Sequence, residues 1–280
     1  MTLVRALPNQ PGSIRLLPTF IATLAAALFL TMQPVQSESF NNAFAYDPEA
    51  EVDVELVLAV DISQSMDTEE QQVQRTGYVA ALTSDEVMQA IRFGPIGRIA
   101  ISYVEWGGDG EHFIIADWHV IQDKASAEAF ASLIAEAPLR QVQRTSISSA
   151  LKQASNMIES NRYQGLRRVI DISGDGPNNQ GELVTRSRDT TLARGITING
   201  LPLMMRDNNS AWYHMPDLDH YYEDCVIGGP GAFAIPVRSR EAFADAIRMK
   251  LVLEIANLVP AGPRVIPAQA RKSVACNLFN

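Results

Sequence analysis

Cysteine and histidine are scarce in this sequence. Among 280 residues there are two cysteines, Cys225 and Cys276, and four histidines. His112, His119, His214 and His220 show no His-x-x-x-His or His-Cys spacing, which sets a zinc site aside. Two cysteines allow one disulfide in an exported chain, and their separation leaves the pairing open. Positive charge is also short, with 23 Lys and Arg against 32 Asp and Glu, a net of −9. Neither nucleic acid nor an anionic membrane surface would attract such a chain electrostatically. No Asp-x-Asp-x-Asp-Gly pattern of a calcium loop is present. The glycines at 228, 229 and 231 precede an apolar strand-like run rather than a helix, so no helix N-terminus is offered to a phosphate. No internal repeat breaks the chain into modules.

Against these absences stand 46% hydrophobic and 20% charged residues, enough for a sizeable core. No acid precedes Glu38, while Arg5 and Arg15 lead into an apolar run from Leu16 to Met32. This reads as an export signal over residues 1–37, with small residues at Val35-Gln36-Ser37 and a second option for cleavage at Ala43-Phe44-Ala45. Left uncleaved, the run would anchor the chain, although a spanning helix needs about 20 apolar residues. The expected location is the periplasm or the exterior, or the membrane surface for an uncleaved anchor, with no membrane insertion of the mature domain.

Residues 38–52 read as a linker. From there to about residue 258, strand and helix patterns alternate. Val54 to Val60 is almost continuously apolar, as in a strand covered on both faces. Asp67-Thr68-Glu69-Glu70 predicts a capping box opening one long helix that Gly94-Pro95 stops. Strands are expected at about Arg98 to Trp106 and His112 to Ile121. The short turn Gly107-Gly108-Asp109-Gly110 between them forces an antiparallel hairpin. Asp123 would cap a helix that Pro138 closes, and Ile147, Leu151, Ala154 and Ile158 stripe another. Strands at Arg167 to Ser173, Ile196 to Leu203 and Ala232 to Val237 follow. Helices are expected over Glu182 to Arg194 and Ser239 to Asn257. An insertion, residues 206–228, is rich in acids and aromatics, and a tail, residues 259–280, is expected to be poorly ordered. The sum is an α/β domain, 53–258, with a mainly parallel central sheet and one antiparallel edge hairpin strand.

The stretch Asp61-Ile62-Ser63-Gln64-Ser65 ends the first strand. A carboxylate and two hydroxyls at alternating positions can converge on one hard cation outside the carboxyl end of a sheet. Two later loops carry matching oxygen groups: Thr145 before the helix at Ile147, and Asp175 after the strand ending at Ser173. In this order and context the three loops resemble the von Willebrand factor type A (VWA) family. Ile170-Asp171-Ile172-Ser173-Gly174-Asp175-Gly176 and Tyr221-Tyr222-Glu223-Asp224-Cys225-Val226-Ile227-Gly228-Gly229-Pro230-Gly231-Ala232-Phe233 are similar to a bacterial group of exported type A proteins of unassigned function.

The resemblance implies a Rossmann-like, doubly wound fold with helices on both faces of the sheet. It also implies a metal-ion-dependent adhesion site (MIDAS), with Asp61, Ser63, Ser65, Thr145 and Asp175 holding Mg2+, or Mn2+ or Ca2+ in its place. The expected partner is a protein presenting Asp or Glu to the ion. The sequence departs from the family pattern at one place: Gly174 stands where Thr or Ser usually precedes the third-loop aspartate, and the hydroxyl comes one residue earlier, at Ser173. Asp171 and Ser173 are candidates for outer contacts to the site, although an acid inside an apolar strand is more often paired with a structural partner. Trp212, Asp217, Asp219, Glu223 and Asp224 are candidates for a partner-contacting loop. Two other functions remain open. One is a Mg2+-dependent phosphohydrolase with Asp61 as nucleophile, although Ser63 stands where such an enzyme wants a second carboxylate. The other is an interaction subunit that works without metal through 206–228.

Overall fold

The computed structural model describes residues 49–205, 215–258 and 273–277. The export segment 1–37, Trp212 and most of the tail lie outside the described residues. A five-stranded sheet runs through the protein in the order β3-β2-β1-β4-β5. β1 (Glu51–Asp61) is its centre and pairs in parallel with β2 (Ile99–Trp106) and β4 (Gln164–Gly174). β5 (Thr197–Pro202) extends the parallel side, and β3 (His112–Ile121) closes the other edge antiparallel to β2. Ten of the eleven β1 residues are buried, which is why this strand reads as almost continuously apolar.

Side chains of β1 alternate between two cores, as the period of a strand requires. Val54, Leu56, Leu58 and Val60 join the layer built by α1 (Thr68–Leu82), α2 (Asp85–Arg92), α3 (Lys124–Glu136) and α7 (Phe243–Ile255). Val57 and Ala59 join the opposite layer, built by α4 (Ile147–Ser160), α5 (Val184–Ala193), the short α6 (Leu218–Tyr221) and a π-helix at Tyr222–Val226. The fold is therefore α/β and doubly wound, with helices on both faces.

Local signals set most boundaries. The Asp67–Glu70 capping box opens α1 and Asp123 caps α3. The long helix expected up to Gly94 is in fact two. Ser84 accepts a hydrogen bond from the Val87 amide and starts α2 afresh, so a second N-cap inside the apolar stripe breaks the helix. β1 begins at Glu51, two residues inside the expected linker. The run Ala232 to Val237 is not a sixth strand. It touches the β5 region only through single bridges, Gly200 to Ala234 and Leu203 to Val237.

The described residues of the insertion and of the tail, 215–228 and 273–277, pack against the second core. Residues 218–226 are helical, with Leu218, Tyr221, Tyr222, Cys225 and Val226 buried in the second core. Cys225 and Cys276 form a disulfide, and Val274 N donates to Asp224 Oδ2 at 2.8 Å. Residues 273–277 are thereby held against the π-helix. Among the described residues, no helix is long and apolar enough to cross a membrane.

Candidate metal centre

The sheet order places β1 between strands that the chain visits in opposite directions. A crevice at such a switch point opens beyond the carboxyl ends of the strands. Asp61 ends β1 and Gly174 ends β4, so the Asp61-x-Ser63-x-Ser65 turn and the Gly174-Asp175 turn emerge side by side. Asp61 Oδ1 accepts the Ser63 amide at 2.7 Å, an Asx turn that fixes the loop. The Ser63 and Ser65 hydroxyls lie 2.8 Å apart, and Ser65 Oγ donates to Asp175 Oδ1 at 2.6 Å. First and third loops are thus joined through a chain of oxygens.

The second loop is held by its backbone. Val142 N donates to Ile62 O at 3.1 Å, and Ser146 N donates to Gly107 O at 2.7 Å. Thr145 N donates to Asn179 Oδ1 at 2.9 Å, while Asn179 N returns a bond to Thr145 O at 2.8 Å. Asn178 Oδ1 accepts the Ser148 amide at 2.9 Å. These two asparagines carry the stitching between loops two and three.

Asp61 is fully buried, and its Oδ2 has no hydrogen-bond partner. Burial pushes its pKa well above the ordinary carboxylate value, and the neighbouring Asp175 charge pushes the same way. The Ser63 hydroxyl and the Ser63 and Asp175 amides oppose the shift without cancelling it. No cationic side chain among the described residues pairs with Asp61. The arrangement is a chain of oxygens carrying two acids, with negative charge in excess.

Asp171 and Ser173 do not join this cluster. Strand alternation turns them, with Val169, toward α1 and α7, whereas Ile170 and Ile172 face the second core. Lys250 Nζ of α7 stands 2.6 Å from Asp171 Oδ1, and Ser173 Oγ accepts from Gln74 Nε2 at 3.2 Å. Asp171 has the structural pairing expected of a buried acid.

The acids of the insertion divide. Asp219 pairs with Arg238 at 2.5 Å, and Asp224 holds the tail. Asp217 and Glu223 are exposed. Tyr222 is the residue that loop-by-loop reading misses. Its hydroxyl is buried without a hydrogen-bond partner, 2.9 Å from where a Cβ on Gly174 would lie. The usable sequence signal is a glycine at the end of a buried strand, which marks a close approach by something else.

Comparison with known proteins fits this geometry. The family described as Protein of unknown function (DUF1194) matches residues 51–259. The chain belongs to this family. DUF1194 spans the whole described sheet and all seven α-helices. No curated protein matches the sequence. Among solved structures, the pilus adhesin SpaC from Lactobacillus rhamnosus GG is similar at a TM-score of 0.55 and 14% identity, over 74% of this chain and 30% of that one. Proximal thread matrix protein 1 from the mussel byssus, with a zinc-occupied MIDAS motif, aligns at 0.52 and 13% identity, over 73% of this chain and 46% of that one. The von Willebrand factor type A structure from Catenulispora acidiphila aligns at 0.52 and 13%, over 73% and 43%. This chain spans less than half the length of each of these three structures. At such identities the likeness establishes the fold, which is that of a type A domain.

Proposed function

We propose that this DUF1194 protein is an exported binding module that recognises an acidic side chain of a protein partner through a divalent cation, Mg2+ in the first instance. The observation that carries the reading is the oxygen chain Ser63–Ser65–Asp175 beside a buried Asp61 whose Oδ2 has no partner. A buried, unpaired carboxylate is costly unless a cation or proton neutralises it. The donor set fits a hard cation: Asp61, Ser63, Ser65, Thr145 and Asp175 offer oxygen only, and Mg2+ prefers few protein oxygens with several retained waters. Mn2+ and Ca2+ suit the same chemistry.

In this reading Asp61 and Asp175 supply the charge, and the serine and threonine hydroxyls supply neutral oxygens. The bound ion would provide an electrophilic position for an incoming carboxylate. With only two acids in the set, a third from a partner can be accommodated. The apolar, lightly basic N-terminal segment 1–37 supports export, to the periplasm or outside. The exposed Asp217, just before the 218–226 segment, and Glu223 within it are the insertion acids best placed for contact with the partner.

The test is capture from the envelope fraction of the native organism on immobilised protein, with Mg2+, with EDTA, and with Asp61→Ala. Binding should vanish with EDTA, return with Mg2+ and be absent for the variant. Capture that is indifferent to EDTA and to Asp61→Ala would overturn the reading. Metal-dependent turnover of phosphate esters abolished by Asp61→Asn would replace it with a hydrolase.

A further inference from the structure

A glycine inside or at the end of a buried strand loses packing and conformational stability, so it is kept where another group must come close. The second core has two such glycines on adjacent strands. Gly200 sits in β5 opposite Ile172, and Gly174 ends β4 opposite Pro202. A Cβ on Gly200 would lie 2.6 Å from Tyr222 Cδ1. A Cβ on Gly174 would lie 2.9 Å from the Tyr222 hydroxyl and 2.9 Å from Asp61 Oδ2. The two glycines therefore form a trough for one side chain. The ring of Tyr222 lies over Gly200, and its hydroxyl reaches over Gly174 to the candidate metal centre.

The trough alone would suit phenylalanine as well as tyrosine. The Tyr222 hydroxyl is fully buried without a partner, and the facing Asp61 Oδ2 is also without one. A buried polar group of this kind is costly if it stays unsatisfied. Two orphaned oxygens, one a donor, converge on the point that Gly174 leaves open. Bound water beside a metal ion is the group that would satisfy both, accepting from the hydroxyl and donating to the carboxylate.

We propose that Tyr222 belongs to the metal centre: with Asp61 Oδ2, its hydroxyl holds a water bound to the cation, supplying from the insertion a polar group that the third loop lacks at Gly174. The inference rests on the metal-binding reading above. It also gives the insertion and the tail a purpose. Tyr222 begins the π-helix Tyr222–Val226, a rare geometry often found at functional sites, and Cys225 in that turn is joined to Cys276. Both devices fix the ring over the trough.

The test is Mn2+ titration followed by electron paramagnetic resonance, with calorimetry for Mg2+, on the wild-type chain, Tyr222→Phe, and Tyr222→Phe combined with Gly174→Ser. Tyr222→Phe should bind Mn2+ about 10–100-fold more weakly, the usual loss when a group supporting a metal's ligands is removed. Its thermal midpoint in EDTA should stay at or above wild type, because the lost hydroxyl has no protein partner. The double variant returns a hydroxyl from the loop into space partly freed by the phenol oxygen; with a small shift of Asp61 Oδ2, 2.9 Å from the new Cβ, it should recover part of the affinity. Equal Mn2+ affinity in wild type and Tyr222→Phe would overturn this inference and leave the metal reading standing. No Mn2+ or Mg2+ binding by the wild type would overturn both.

Discussion

Ser65 and Asp175 are 110 positions apart in sequence, and the Ser65 hydroxyl donates to Asp175 Oδ1 at 2.6 Å. Through that bond the turn after β1 and the turn after β4 become one surface. It offsets part of the repulsion between Asp61 and Asp175, the two acids that these loops bring together.

The first prediction concerns metal and stability together. Mg2+ should raise the thermal midpoint of the wild type, by the equivalent of about 2.7 kcal/mol at a hundredfold excess over Kd. Asp61→Asn should abolish that rise. In EDTA the same variant should melt at or above the wild-type temperature, because it removes a buried charge disfavoured by burial and by Asp175. Calorimetric melting with and without Mg2+ measures both effects, and an Asp61→Asn protein still stabilised by Mg2+ would contradict them.

The second concerns the disulfide. Cys225 and Cys276 are 51 positions apart. Cys276→Ser should lower unfolding free energy by about 2–4 kcal/mol in denaturant melts, the usual effect of opening a loop of this order. Proteolysis should then cut in 259–280 before the rest of the chain. A tail that resists protease equally with and without the bond would show that the bond does not hold it.

The third concerns Lys250, buried with Asp171 and Glu254 around it. Lys250→Met keeps the apolar stem and leaves two buried acids without a counter-charge. Breaking such a group from one side costs about 3–5 kcal/mol. The cost should be smaller at pH 6 than at pH 8, since the acids can take up protons instead. Urea melts at the two pH values decide this.

The fourth is a pH dependence. Burial, with Asp171 adding to it, pushes Glu254 up from the ordinary value of 4.5 to about 7. Between those values the folded chain holds a proton that the unfolded chain has released. Stability therefore falls as pH rises through that window. Glu254→Gln should flatten the slope of unfolding free energy against pH between about 5 and 7. A variant that keeps the wild-type slope would place the titration elsewhere.

Much of the fold was legible in the chain. Val54 to Val60 announces a strand buried on both faces, Asp67 with Glu70 a helix start, and Gly107 to Gly110 a hairpin turn, because these signals act within a few residues. Breaks that arise from a competing local signal were harder to read: Ser84 recapped a helix in the middle of an apolar stripe. The run at Ala232 to Val237 has strand composition and bonds to the backbone of residues 200–204, but Pro202 between the two bridges has no amide to donate, so they do not join into a ladder. At the candidate site, the order of Asp61, Ser63, Ser65, Thr145 and Asp175 was plain, but the contacts that bind loop two to loop three through Asn178 and Asn179 were not.

The sequence by itself determined most of the elements and the turn of oxygens at Asp61 to Ser65, because strand alternation, capping and Asx turns are short-range physics. Tertiary structure alone decided which of the remaining polar groups share that turn. Asp171 and Ser173 lie near Asp175 in the chain and face the other core, where Lys250 and Gln74 take them up. Tyr222 lies far from Asp61 in sequence, yet it arrives beside it across two glycines. The face of a strand and the packing of an insertion are fixed by what covers them, and only the folded chain brings those partners together.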